Sequence, residues 1–300
     1  MLALSWSIEI RRGMLKLETG LLIPVTWVSI GSILELAGEV MDNSFIEQAV
    51  KLLVGARASH QRLETLPVEC RPETIEDSYQ VQDALINRLG LQVGGWKVGA
   101  TSVKAQTMLG TNEPFAGRMF KASILDSAGE LSMADLFTPG VEVEVAFCLG
   151  HDLPAGPVYA RDEVADAVRS LHPAIEVVDT RYTSGLKAGI FQIVADNGAH
   201  AGFVVGSGIA DWRGIDRQGI AVKLVINGEM ISTGVGANAF GDPLDSLVWL
   251  ANDRSRRGDG LVSGDFVTTG SCCDELGWAK AGDIAIAQFD TLGLVEARFT

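Results

Sequence analysis

The sequence predicts an α+β protein, a mixed β-sandwich roll with helices on its periphery and a small helical N-terminal lobe. Three observations carry this. From residue 94 onward, β-type runs alternate with turns and an occasional helix, without the regular βαβ rhythm of a doubly wound sheet. Helical periodicity is strongest between residues 45 and 89. The 34 glycines among 300 residues exceed the usual share, which calls for many tight turns. The expected organisation is an extension over 1–40, a helical lobe over 41–93 and a catalytic β-roll over 94–300.

Residues 1–40 do not resemble the rest. Arg11, Arg12 and Lys16 precede an uncharged apolar stretch, 21–34, that is too short to span a bilayer and is interrupted by Pro24. Pro24 and the weak Ala37-Gly38 cleavage signal also argue against an export signal. Met41 to Phe45 looks like a natural start followed by a helix cap, so 1–40 reads as an extension of doubtful origin, expected to be disordered or loosely packed. Phe45, Ile46, Ala49, Val50, Leu52, Leu53 and Ala56 keep helical spacing. A second helix is expected over 75–89, capped by Thr74, favoured at its positive end by Glu76 and Asp77, and stopped by Gly90. Residues 103–108 read as a helical turn, 115–139 as turns, and 161–171 and 245–252 as helices. Strands are expected at 203–205, 266–271, 284–289 and 294–299, with a hairpin over 222–231 turning at Asn227-Gly228.

A net charge of −14 argues against a nucleic-acid partner, because phosphates demand a basic surface. With no membrane-spanning stretch, no membrane partner is expected. The four cysteines are too few for a disulfide framework, and neither Cys70 nor Cys148 has zinc-like spacing from Cys272-Cys273. Free thiols in a reducing compartment follow, which places the protein in the cytoplasm.

Chemistry concentrates in three stretches. In Val141-Glu142-Val143-Glu144-Val145-Ala146-Phe147, period-two alternation puts Glu142 and Glu144 on one strand face, roughly 7 Å apart. Such a face is either solvated or a divalent-metal site, since like charges repel unless something screens them. Glu176, in the β-type run 173–181, offers a third carboxylate. Three acidic oxygens suit Mg2+ or Mn2+ better than zinc. Asp179 falls on the opposite face and is expected to be structural, with Arg181 pairing to it or to a neighbouring carboxylate. Lys97, in the glycine-rich run 94–102, either lies on the outer face of an edge strand or sits in a pocket. There it would hold a carboxylate or, with a lowered pKa, transfer protons.

Several stretches then occur in a recognisable order: Gly95-Trp96-Lys97-Val98-Gly99-Ala100-Thr101-Ser102, Leu109-Gly110 with Glu113-Pro114, the Glu142/Glu144 strand, and Ala174 to Arg181. Ala195-Asp196-Asn197, Leu244 with Trp249-Leu250-Ala251-Asn252, Gly264-Asp265, Thr269-Gly270-Ser271 and Ala281-Gly282-Asp283 follow. Together they resemble the fumarylacetoacetate hydrolase superfamily, in its branch of 2-keto-4-pentenoate hydratases and 4-oxalocrotonate decarboxylases, over residues 42–300.

The resemblance implies the family's C-terminal β-sandwich roll and an Mg2+ or Mn2+ site held by Glu142, Glu144 and Glu176, with Lys97 as the active-site cation. Asn197, in the family's Ala-Asp-Asn-Ala-Ser loop, is expected at the substrate pocket with Thr101, Ser102, Thr269 and Gly270. Gly198 and Ala199 replace the alanine and serine of that loop, so a hydroxyl expected near the substrate is missing. The implied function is a hydro-lyase adding water to a 2-hydroxy-dienoate or 2-oxo-alkenoate in meta-cleavage degradation of aromatic compounds. The alternatives are a 2-oxo-acid decarboxylase, an acylpyruvate-type C–C hydrolase, and a non-catalytic partner subunit. The hydrolase branch uses a His–Glu pair, and only His200 of the four histidines keeps that option. The expected partners are a small 2-oxo or 2-hydroxy carboxylic acid, further copies of the chain in a homo-oligomer, and a related hydratase or decarboxylase subunit.

Overall fold

The computed structural model describes residues 9–11, 14–16, 22–24 and 41–300. The chain divides into two units, Met1–Asp42 and Asn43–Thr300. In the first, strands β1 (Glu9–Arg11), β2 (Met14–Lys16) and β3 (Leu22–Pro24) form an antiparallel meander. The expectation of disorder over 1–40 falls otherwise on residues outside those described.

The second unit opens with helices α1 (Asn43–Ser59) and α2 (Ile75–Leu89). Ile46, Ala49, Val50, Leu53 and Ala56 form the buried stripe of α1, as their spacing predicts. Thr74 caps α2 by accepting the Asp77 N–H at 3.1 Å, and Gly90 ends it in the left-handed conformation, φ 64°. Buried Gln82 ties α2 to the sheet, donating to Ala116 O at 3.1 Å and Val194 O at 2.8 Å.

Two mixed sheets follow. The larger contains β4 (Val93–Gly99), β5 (Phe115–Phe120), β6 (Ile124–Asp126), β8 (Gly140–Leu149), β9 (Val168–Val178), β10 (His200–Val205) and β13 (Phe266–Ser271). Their order is β5-β4-β13-β8-β9-β10-β6, and β14 (Gly277–Trp278) pairs with the start of β8. The smaller has the order β12-β11-β15-β16-β7, built from β7 (Gly129–Leu131), β11 (Ala221–Ile226), β12 (Glu229–Val235), β15 (Ile284–Phe289) and β16 (Gly293–Phe299). Val141, Val143, Val145 and Phe147 project from one face of β8 into the core shared with Leu224, Ala287 and Val295 of the smaller sheet. Strand alternation sends Glu142 and Glu144 to the other face. This is the predicted α+β sandwich roll.

Helices α3 (Val103–Leu109), α4 (Arg161–Ala167), α5 (Ile190–Ala195) and α6 (Pro243–Arg256) complete the unit. Two local expectations are corrected. The helix expected over 161–171 stops at Ala167, because Val168 and Leu171 pair with Leu149 and Phe147 of β8, and Pro173 disfavours helical backbone at His172. The turns expected over 115–139 include a full strand, β5, whose small and charged residues gave weak alternation. Gly117 there meets the loop at 197: a Cβ would come within 2.6 Å of Asn197 O. Among the described residues, no helix is long and apolar enough to cross a membrane.

Candidate metal centre and active-site cleft

In the antiparallel β8–β9 ladder Glu142 lies directly opposite Glu176, and Glu144 is one row further along the same face. One carboxylate oxygen from each of the three lies within 4.8 Å of the others. Opposed like charges destabilise a ladder, and here the penalty is deepened by burial, since Glu144 and Glu176 are both 0% exposed. Glu144 Oε2 accepts the Gly270 N–H at 2.8 Å, whereas its buried Oε1 has no hydrogen-bond partner among the described residues. A buried, unpartnered carboxylate oxygen facing two further carboxylates is the donor set of a hard divalent cation. The residues present therefore fit Mg2+ or Mn2+.

The three acids are not equivalent. Burial, reinforced by Glu176 against the opposing pull of Lys97, pushes the Glu142 carboxyl up to about 7. Burial, with the charges of Glu176 and Glu142, also pushes the Glu144 carboxyl well up. Glu176 suffers the same burial, yet Lys97 and His200 hold it below the usual carboxylate range. Its Oε1 lies 3.3 Å from Lys97 Nζ and 3.2 Å from His200 Nδ1, and its Oε2 accepts from Thr268 Oγ1 at 3.4 Å.

Lys97 is not on an edge. Strand β4 runs between β5 and β13, and the residue is 3% exposed. Its Nζ donates to Gly198 O at 3.1 Å and lies 5.3 Å from the centre of the Phe115 ring. Burial works against its charge, but Glu176, Glu142 and Glu144 together hold its pKa above the usual lysine value. The lowered lysine pKa is therefore corrected: among these carboxylates Lys97 is a persistent cation. Room for its stem comes from Gly198, φ 63°, where a Cβ would sit 3.2 Å from Lys97 Cδ.

The pocket loop works differently from expectation. The Asn197 amide pairs with the Arg118 backbone in both directions, accepting from N and donating to O at 2.8 Å each. It thus fixes the turn that presents Gly198 O to Lys97, and it is not among the residues lining the cleft. Ala199 packs with Tyr79, Phe115 and Ile193 in an apolar cluster. The absent serine hydroxyl therefore removes no group from the cleft. Asp196 anchors the same loop, bound by Arg181 at 2.8 Å and Arg57 at 2.7 Å. Asp179 is structural, accepting backbone N–H groups of Phe137, Thr138 and Thr180.

Glu142 opens onto a cleft of about 510 Å³ lined by Thr101, Ser102 and Gly270, with Leu276 and Trp278 on its apolar wall. Gly270 is obligatory: its φ is 98° and a Cβ would sit 1.9 Å from Thr101 Oγ1. Thr269 lies beneath, donating to Val145 O at 2.7 Å, and does not line the cleft. His200 engages Glu176 through Nδ1 and lies 3.3 Å from Ser123 Oγ through Nε2. Its position after the pocket loop was the only sequence signal for it. Thr268, level with Lys97 on the parallel β4–β13 pair, and Trp278 carried none.

Residues 113–300 match the profile of the fumarylacetoacetate (FAA) hydrolase C-terminal family. The chain belongs to the fumarylacetoacetate hydrolase family. It is 33% identical over 257 residues to a 2-keto-4-pentenoate hydratase of Paraburkholderia xenovorans, covering 84% of this chain and 94% of that one. It is 30% identical over 229 residues to a 4-oxalocrotonate decarboxylase of Pseudomonas putida, covering 75% of this chain and 86% of the relative. Among solved structures, a Pseudomonas putida 4-oxalocrotonate decarboxylase complexed with magnesium and adipate superposes with a TM-score of 0.80 at 26% identity. That match covers 88% of this chain and all of the other. The fumarylacetoacetate hydrolase-type roll and the hydratase/decarboxylase branch inferred from the motifs are thereby borne out.

Proposed function

We propose that this fumarylacetoacetate hydrolase family member is a metal-dependent hydratase that adds water to a 2-hydroxy-dienoate or 2-oxo-alkenoate, as in the meta-cleavage degradation of aromatic compounds. The observation that carries it is the convergence of Glu142, Glu144 and Glu176 beside a buried, protonated Lys97. The hydratase relatives, 33–35% identical over most of the chain, support the choice of reaction.

Glu142, Glu144 and Glu176 would hold Mg2+ or Mn2+, whose chemistry there is that of a Lewis acid stabilising negative charge on the substrate's 2-oxygen. Lys97 has three N–H donors, of which Glu176 and Gly198 O take two. The third would serve the substrate, offsetting its carboxylate or shuttling the proton of ketonisation, given up to the chain carbon and regained from the 2-hydroxyl so that Lys97 ends charged as it began. Thr101, Ser102 and the Gly270 backbone bound the space around the reacting atoms, and Leu276 and Trp278 keep the far side apolar. A fixed cation and a shaped wall act by orientation and electrostatics, the terms that dominate such steps.

The second reading is a 2-oxo-acid decarboxylase, favoured by the closely superposing decarboxylase structure. Hydrolytic C–C cleavage is less well supported, because both ring nitrogens of His200 are engaged by protein groups, Glu176 and Ser123. A non-catalytic partner role is the last alternative, whereas a homo-oligomer and association with a related subunit belong to the same proposal. So does a cytoplasmic location, supported by four free, buried cysteines. Residues 1–40 are proposed to be an extension of doubtful origin, and every proposed site residue lies beyond them.

The test is turnover by purified protein with Mg2+ or Mn2+ of 2-hydroxypenta-2,4-dienoate, 4-oxalocrotonate and acylpyruvates, read separately as water addition, CO2 release and C–C cleavage. Water addition supports the proposal. CO2 release or cleavage replaces it, and metal binding without turnover points to the partner role.

A further inference from the structure

Lys97 and Phe115 form one diagonal of a four-residue block in the antiparallel β4–β5 ladder. Lys97 lies opposite Gly117, and Gly99 lies opposite Phe115. Residues two apart on a strand share a face, so the two large side chains stand on the same side of the sheet, each facing a glycine. Diagonal partners across a ladder are within reach of a ring and a long stem, and the glycines let these two lean together. A Cβ at Gly99 would lie 2.3 Å from Phe115 Cζ, and one at Gly117 would lie 3.1 Å from Lys97 Cγ. The ring therefore lies across Gly99, which lines the cleft, and the lysine stem lies across Gly117.

The pocket loop completes the block. The point that a Cβ at Gly198 would occupy is 3.0 Å from Phe115 Cε2 and 3.2 Å from Lys97 Cδ. Where the family's Ala-Asp-Asn-Ala-Ser loop carries alanine, glycine leaves that point free for the ring and the stem. Lys97 Nζ stands over the Phe115 ring, 5.3 Å from its centre, and both residues are 3% exposed. A desolvated ammonium over an aromatic face is at the stronger end of cation–π attraction. Holding the end of a lysine is otherwise costly, because its stem has several torsions to fix. Glu176 Oε1 at 3.3 Å and Gly198 O at 3.1 Å take two of its N–H groups. At 5.3 Å the ring attracts the charge without taking up the third. The ring is itself held by packing against Tyr79, Leu109 and Ile193.

We propose that Phe115 is a positioning residue, whose ring, admitted by Gly99 and Gly198, fixes the Lys97 ammonium so that its third N–H meets the substrate. The inference rests on the proposed function and deepens it, adding a residue that acts on the substrate only through Lys97.

Calorimetric titration of the Mg2+-loaded protein with 2-oxopentanoate, a 2-oxo acid with no double bond to hydrate, tests it. The chains compared carry phenylalanine, 4-fluoro-, 3,5-difluoro- or 3,4,5-trifluorophenylalanine at position 115. Successive fluorines drain negative charge from the ring face and change its shape little. Affinity should therefore fall stepwise, by roughly threefold to thirtyfold over the series. The same series in a Lys97→Met background should show no such trend, whereas a ring that only packs would give the same change in both. Phe115→Leu, which stays apolar but has no ring face, should weaken binding by a similar factor when Lys97 is present and leave it unchanged in the Lys97→Met chain. The fluorinated chains carry the test if Phe115→Leu fails to fold. A flat series, or a trend of equal size in the Lys97→Met background, overturns the positioning role and leaves the proposed function standing. Failure of the unmodified protein to bind the acid overturns the two together.

Discussion

Replacing Glu142 with glutamine in metal-free protein gives the sharpest test of the carboxylate cluster. Burial raises the Glu142 carboxyl to about 7 in the folded chain, against about 4.3 for an unperturbed glutamate. Between those values the folded state binds more protons than the unfolded state, so metal-free stability must fall as pH rises. The contribution is fully present below the unfolded value and is lost as pH passes through the folded one. A shift of that size corresponds to about 4 kcal/mol at 1.4 kcal/mol per unit, or a melting temperature lower by roughly 8–16 °C for a domain of this size. Adding Mg2+ should reverse the loss, because the ion binds only the folded site. Its affinity should weaken by up to about tenfold per pH unit below 7, as a proton must leave Glu142 first. Glu142→Gln should make the metal-free profile shallower between pH 5 and 8, the slope that remains belonging to Glu144, and should weaken metal binding at pH 8. Thermal melts across pH in EDTA and in Mg2+ read both effects. A variant that keeps the original slope, or full metal affinity, would refute the reasoning.

Other consequences are open to direct measurement. Glu144→Ala should abolish metal-dependent turnover; full metal-dependent activity in that variant would sink the proposed site. Lys97→Met should cut kcat/KM by roughly 10²–10⁴ while tightening divalent-metal binding, because a competing cation leaves the carboxylates; weaker binding by calorimetry would show that Lys97 supports the ion instead. Gly270→Ala should cost at least about 2 kcal/mol in denaturant melts, since its Cβ would collide with Thr101 and disturb the N–H that holds Glu144. His200→Leu should lower metal affinity by about tenfold or more, the usual penalty for removing a group that orients a ligand; unchanged metal affinity would make His200 a packing residue only.

Much of the site was legible because strand periodicity is local. Alternation alone put Glu142 and Glu144 on one face, and the same rule set Asp179 apart from Glu176. Helix limits at Thr74 and Gly90 were readable because caps act within a single turn. The Ala-Asp-Asn loop was located correctly but its side chains were not. Asn197 turns to Arg118 and Ala199 to an apolar cluster, and both directions depend on left-handed backbone at 197, 198 and 199. Strand β5 escaped notice because its residues alternate weakly, and its neighbour in the sheet is β4, which lies on the far side of α3 in the chain.

The sequence by itself determined the α+β character, the acidic strand face and the presence of a lysine in a glycine-lined run. Tertiary structure alone decided that Glu176 stands opposite Glu142, and that β13 brings Thr268 and Gly270 between β4 and β8. It also decided that Lys97 is a buried cation rather than a solvated one. Side-chain direction along a strand follows from neighbouring residues, whereas the charge that a buried group keeps follows from partners brought from distant strands by long-range register.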